Sequence, residues 1–164
     1  MKKFFADFIA EALKKRARKR SVAESISIDI DKHMREMMRL NNNIAALPSA
    51  NNERQLQPIL DNLEIFSNFY SDKEFTDLTP KFNLLPRECS KKIKDFYGET
   101  KILSDILKKK LITKDIQQIY NSWASYCPQT YAIGLKTLIC LFKNVIKDKQ
   151  IVEEIESILR NHET

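Results

Sequence analysis

Apolar residues recur along most of this chain at spacings of three and four, the repeat of one helical face. Phe4, Phe5, Phe8, Ile9, Ala12 and Leu13 fall within about half the circumference of a helix, which predicts an amphipathic helix over roughly residues 3–20. Val22, Ile26, Ile30, Met34, Met37 and Ile44 continue as a seam over 22–44. Between them, Ser21 to Glu24 has the form of a capping box, so the pattern allows either a new helix at Ser21 or one helix running through. "SISIDID" alternates with period two, but the Met-rich stretch after it favours helix. "NNNIAALPSANN" reads as a loop.

Beyond the loop, Ile59, Leu60, Leu63, Phe66 and Tyr70 predict a helix over about 58–70, with Pro58 in its first turn. Ser71 to Glu74, Thr79-Pro80 and Leu85-Pro86 are helix-start signals, so 72–85 reads as short helical turns. Ile93, Phe96, Tyr97, Leu103, Ile106 and Leu107 predict a helix over 87–111, with Gly98 inside it. Thr113 is the expected cap of a helix over 114–126, carrying Ile116, Ile119, Tyr120 and Trp123 and ended by Pro128. Leu135, Leu138, Ile139, Phe142 and Val145 mark a helix over 129–146, and Ile151, Val152, Ile155, Ile158 and Leu159 a last one over 149–160. The expected fold is therefore all-α: a bundle of about five to seven helices led by a basic amphipathic N-terminal helix. Residues 1–21 are its arm and 22–164 a single helical domain. With 2 Gly and 5 Pro, the chain lacks the turn residues that β-hairpins need.

Charge sharpens this division. Residues 1–20 hold eight Lys or Arg against Asp7 and Glu11, while the remainder holds 20 basic and 20 acidic residues. The whole net charge of +6 thus sits on the arm. Most of it is the run Lys14, Lys15, Arg16, Arg18, Lys19 and Arg20. Such residues point nearly all ways around about two helical turns, and a segment charged on every side is not buried. Cations at a helix C-terminus also suit the macrodipole, so a solvated helix end is the plainest explanation. An anionic membrane is the next: the apolar face of Phe4, Phe5, Phe8, Ile9 and Leu13 would insert or dock, and the basic run would bind lipid headgroups. Nucleic acid is a third, although no aromatic interleaves the run and no nucleic-acid-binding motif is visible.

Candidate chemistry is sparse. Asp29, His33 and Glu36 share a helical face, but no second ligand helix accompanies them, and a solvated charged face is expected instead. Cys89 falls near a helix N-terminus, with Glu88 beside it and no histidine placed to activate it; His162 lies in an expected tail. Cys127 and Cys140 read as buried inert thiols. Three cysteines without a C-x-x-C favour a reducing compartment and exclude a zinc site built on Cys pairs. Tyr120, Trp123, Tyr126 and Tyr131 suggest an aromatic core at a turn around Pro128, and Met34, Met37 and Met38 core or coiled-coil packing. Gly98 and Gly134 are isolated, so no phosphate-binding loop exists. No apolar stretch is long enough to span a bilayer.

The expected function is a non-catalytic interaction or scaffold protein of the cytoplasm, peripheral to the inner membrane face through its N-terminal helix. The alternative is a nucleic-acid-associated accessory protein using residues 14–20 on phosphate. A protein partner or self-association is expected. No catalytic residue, metal, cofactor or small-molecule substrate is assigned.

Overall fold

A computed structural model describes residues 2–49, 52–69 and 76–163, with side chains described for 11–48, 52–68 and 76–162. Five long helices dominate: α1 (Lys2–Ala45), α2 (Glu53–Phe69), α3 (Arg87–Thr113), α4 (Ile116–Leu141) and α5 (Lys149–Glu163). Short 3-10 turns occupy Leu47–Ser49 and Thr79–Leu84, and a π-helical turn, Phe142–Ile146, follows α4. Among the described residues there is no strand. The fold is all-α, a helical bundle.

The helix α1 is continuous through the capping-box sequence. Glu24 does not fold back on Ser21; its carboxylate accepts from Arg20 Nε at 2.8 Å, an i, i+4 pair that supports an uninterrupted helix. "SISIDID" is helical too: Ile26 and Ile30 are buried while Ile28, on the other side, is 71% exposed. The helix also runs on into the expected loop as far as Ala45, and Leu47 beyond it is buried.

Helix α2 starts at Glu53, five residues before Pro58, with Asn52 Oδ1 accepting from Gln55 N at 3.0 Å. Tyr70 and the Ser71–Glu74 signal lie outside the described residues. Residues 76–78 and Thr79–Leu84 are helical turns, and Pro86 is the N-cap of α3.

The expected break at Pro128 does not occur. Helix α4 carries Pro128 in its interior. A proline there costs about 3 kcal/mol in an isolated helix. Here Ile119, Trp123, Cys127, Thr130, Leu135, Leu138 and Leu141 form one buried seam on both sides of it. Ala124, whose carbonyl loses its partner, is exposed and open to water. Packing along the seam outweighs the local preference. Nor does Thr113 cap α4: its hydroxyl donates to Lys110 O at 2.9 Å, closing α3. Lys114 then turns the chain at φ 50, and Asp115 caps α4, its carboxylate accepting from Gln118 N at 3.0 Å.

This tight connection makes α3 and α4 antiparallel. Cys89, at the start of α3, is bonded to Cys140, at the end of α4. Helix α1 packs along both. Its first buried half (Ala23, Ile26, Ile30, Met34) meets Ile93, Phe96, Tyr97, Leu135 and Leu138, with Ile155 of α5 in the same core. Its second half (Met37, Leu40, Ile44) meets Leu103, Leu107, Ile119 and Trp123, with Leu63 and Phe66 of α2 completing the cluster. The close approach of α1 to α4 depends on Gly134, where a Cβ would lie 2.6 Å from Met34 Sδ.

Candidate basic groove at the root of the first helix

Burial along α1 begins near residue 19. Every described side chain from Glu11 to Arg18 is exposed, Lys19 and Val22 are half-buried, and Ala23 is the first fully buried position. From Lys2 to Arg18 the helix is therefore about 25 Å long at 1.5 Å per residue. Of the predicted apolar face, Leu13 is 58% exposed. The side chains of Phe4, Phe5, Phe8 and Ile9 lie outside the described residues. Lys14, Lys15, Arg16, Arg18 and Arg20 are exposed, and Arg20 is paired with Glu24.

Four cations of the basic run are gathered rather than scattered. Lys15, Arg16, Lys19 and Arg20 line a groove of about 730 Å³ between α1 and the π-helical turn, and Lys147 joins them from its far wall. Leu13, Ala17, Pro86, Val145 and Ile146 supply apolar lining, with Asn144 beside them. None of the groove's described lining side chains is acidic. Lys14 and Arg18 do not line it. The far wall was not visible in the sequence, because it arises where α4 unwinds. The Phe142 carbonyl accepts from both Lys147 N (2.6 Å) and Asp148 N (3.2 Å), and Lys147 adopts φ 63. Asp148 then caps α5 through Ile151 N at 3.1 Å.

The other sequence candidates resolve differently. His33 is 1% exposed, which corrects the expected solvated charged face. Its ring packs edge-on against Phe96 and Tyr97, and its Nδ1 lies 2.8 Å from the Asp29 carbonyl. The Tyr97 hydroxyl donates to the Asp29 carboxylate. Glu36 pairs with Arg39 instead, at 2.9 Å, so the face is split between core and surface. Among the described residues no cluster of metal-ligating side chains forms.

Cys140 is not a free thiol: Cys89 and Cys140 form a disulfide, and the Asn144 amide donates towards Cys140 Sγ at 3.4 Å. The cysteine count therefore does not indicate a reducing compartment. Cys127 is free and buried, and burial pushes its thiol up to about 12. Met34 and Met37 are core residues, whereas Met38 is exposed and its sulfur accepts from Tyr131 OH at 3.2 Å. The aromatic residues divide as well. Trp123 is buried, donating to Asn41 Oδ1 at 3.1 Å and stacking edge-on with Phe66, while Tyr131 meets the His162 ring and Tyr126 is exposed. His162 is thus part of α5, its Nε2 3.0 Å from the Pro128 carbonyl.

No helix among the described residues is long and apolar enough to cross a membrane. Comparison of the chain with protein-family models, curated proteins and solved structures gives no match.

Proposed function

We propose that this protein is a non-catalytic helical interaction module that associates peripherally with an anionic membrane surface through the first twenty residues of α1. The supporting observation is the exposure of α1 from Glu11 to Arg18, with Leu13 uncovered directly before the basic run. A helix that buries its apolar stripe on its own body from Ala23 onward leaves this segment available. Its sequence joins an apolar face to six cations. Each cation near an anionic leaflet contributes about 1 kcal/mol, and apolar side chains add their transfer energy. Binding of this kind is reversible, and sensitive to both salt and the apolar face.

The test is co-sedimentation of the full chain with anionic vesicles, run beside binding to mixed-sequence DNA. Phe5→Ala combined with Phe8→Ala is expected to weaken vesicle binding at least about tenfold, since each phenylalanine is worth about 1.5–3 kcal/mol when buried. Vesicle binding indifferent to this change would overturn the reading. Tight DNA binding with a log–log salt slope near about −5, lost on replacing the cations at 14–20 by Ala, would favour a phosphate-backbone ligand instead.

A further inference from the structure

We propose that the groove between α1 and the π-helical turn holds a single lipid headgroup bearing a phosphomonoester; this rests on the membrane reading above. The first support is charge complementarity. Lys15, Arg16, Lys19, Arg20 and Lys147 surround one concavity without a carboxylate among its described lining residues. Within the described residues, Arg20 alone of these five makes an ion pair, with exposed Glu24. A phosphomonoester carries between one and two negative charges near pH 7 and three acceptor oxygens, so it can engage several of these donors together. A phosphodiester headgroup carries one charge on its phosphate and satisfies fewer.

The second support is shape. The groove, at about 730 Å³, is in the size range of small-ligand sites. Leu13, Val145 and Ile146 line it beside the cations. That pairing suits a phosphate attached to a glycerol and acyl carbons, and a free inorganic phosphate would leave the apolar part unused. The site also lies at the root of the segment proposed to rest on the bilayer.

The third support is the backbone. The π-helical turn interrupts the i to i−4 ladder, a feature that recurs at functional sites. Lys147 follows it at φ 63, a conformation that glycine adopts at lower cost. A lysine here places a cation on the groove wall in spite of its backbone preference. Lys114, the other non-glycine residue at positive φ among the described residues, has the same conformation at φ 50 and lies outside the groove.

That pair provides the test. Lys147→Gly removes a groove cation while relieving the backbone, and Lys114→Gly is the matched control. The full chain is titrated onto phosphatidylcholine vesicles containing either phosphatidic acid or phosphatidylserine, at matched surface potential. The wild type is expected to favour phosphatidic acid by about tenfold, the worth of one added charge-assisted hydrogen bond. Lys147→Gly is expected to lose that preference while weakening phosphatidylserine binding by no more than about fivefold, the worth of one surface cation. Lys114→Gly should keep it, and both variants should melt no lower than wild type. Equal affinity for the two vesicles, or a preference that survives Lys147→Gly, overturns the groove while leaving peripheral binding intact. A soluble arm separates the two readings further. Short-chain phosphatidic acid below its micelle concentration should shift the amide resonances of residues 142–147, and inorganic phosphate at equal concentration should not. Such shifts without binding to either vesicle would support the groove and overturn the membrane reading, whereas equal shifts from inorganic phosphate would overturn the lipid assignment.

Discussion

A Cβ on Gly134 would lie 2.6 Å from Met34 Sδ and 2.9 Å from Phe96 Cε2, while one on Gly98 would meet nothing within 4 Å. Replacing each by Ala should therefore act in opposite directions. Both changes gain helix propensity of about 1 kcal/mol. At Gly134 overpacking of about 1–3 kcal/mol outweighs that gain. Chemical denaturation is expected to show Gly134→Ala less stable and Gly98→Ala more stable than wild type, and the same sign at both would show that the Met34 and Phe96 side chains give way to the added methyl. The two glycines look alike in the sequence, each isolated in a helical pattern, because what separates them is a neighbour about a hundred residues away in one case and open space in the other. His33 is a similar case. Its charged neighbours suggested a wet face, yet its ring sits against Phe96 and Tyr97 and is buried.

At the scale of elements, local helix signals were dependable where the tertiary structure had no competing demand. The seam Ile26, Ile30, Met34, Met37 and Ile44 is buried throughout, and so are Ile93, Phe96, Tyr97, Leu103 and Leu107. Punctuation was less dependable. Ser21 and Pro128 both looked like boundaries, and both lie inside helices: the buried seam of α4 continues past Pro128, and α1 is continuous through Ser21 although its full burial starts only after it. Caps test this directly. Asp115 accepts from Gln118 N at the true start of α4, so Asp115→Ala should cost about 1 kcal/mol. Ser21 lies mid-helix and exposed, so Ser21→Ala should be neutral within about 0.5 kcal/mol. Urea unfolding of the two variants measures both; a comparable loss at Ser21 would indicate a helix starting there. The π-helical turn had no signal in the hydrophobic pattern, because Phe142 and Val145 fit a continuing α-helix equally well.

Across the whole molecule, the Cys89–Cys140 disulfide ties the N-terminal end of α3 to the C-terminal end of α4 over 51 residues of chain. A closed loop of that length stabilises a fold by typically about 2–4 kcal/mol. Under denaturing, non-reducing conditions one thiol per chain should react with a thiol reagent, and three after reduction; three reactive thiols before reduction would contradict the pairing. Cys127 adds a pH effect. Its folded value of about 12 exceeds the ordinary 9.0, and burial also raises Tyr131. The unfolded chain therefore loses these protons first, so stability should fall as pH rises above about 9. Cys127→Ala should flatten that slope without abolishing it, as measured by urea midpoints across the alkaline range; an unchanged slope would contradict the burial of the thiol. These features organise the body, whereas the basic segment ahead of Ala23 is exposed and makes little contribution to the core. Its charge was fully visible in the sequence; its division into a groove-lining set and Lys14 and Arg18 outside was not, because Lys147 lies more than a hundred residues away. The most direct measurement is partition of the full chain onto vesicles of increasing anionic lipid content, with wild type compared to Leu13→Asp. Leu13→Asp leaves the core untouched, so its unfolding midpoint should match wild type while its partition coefficient on anionic vesicles falls at least about tenfold, through the lost apolar contact and the added negative charge. An unchanged partition coefficient, or no binding of the wild type at any anionic content, would contradict membrane association through this helix.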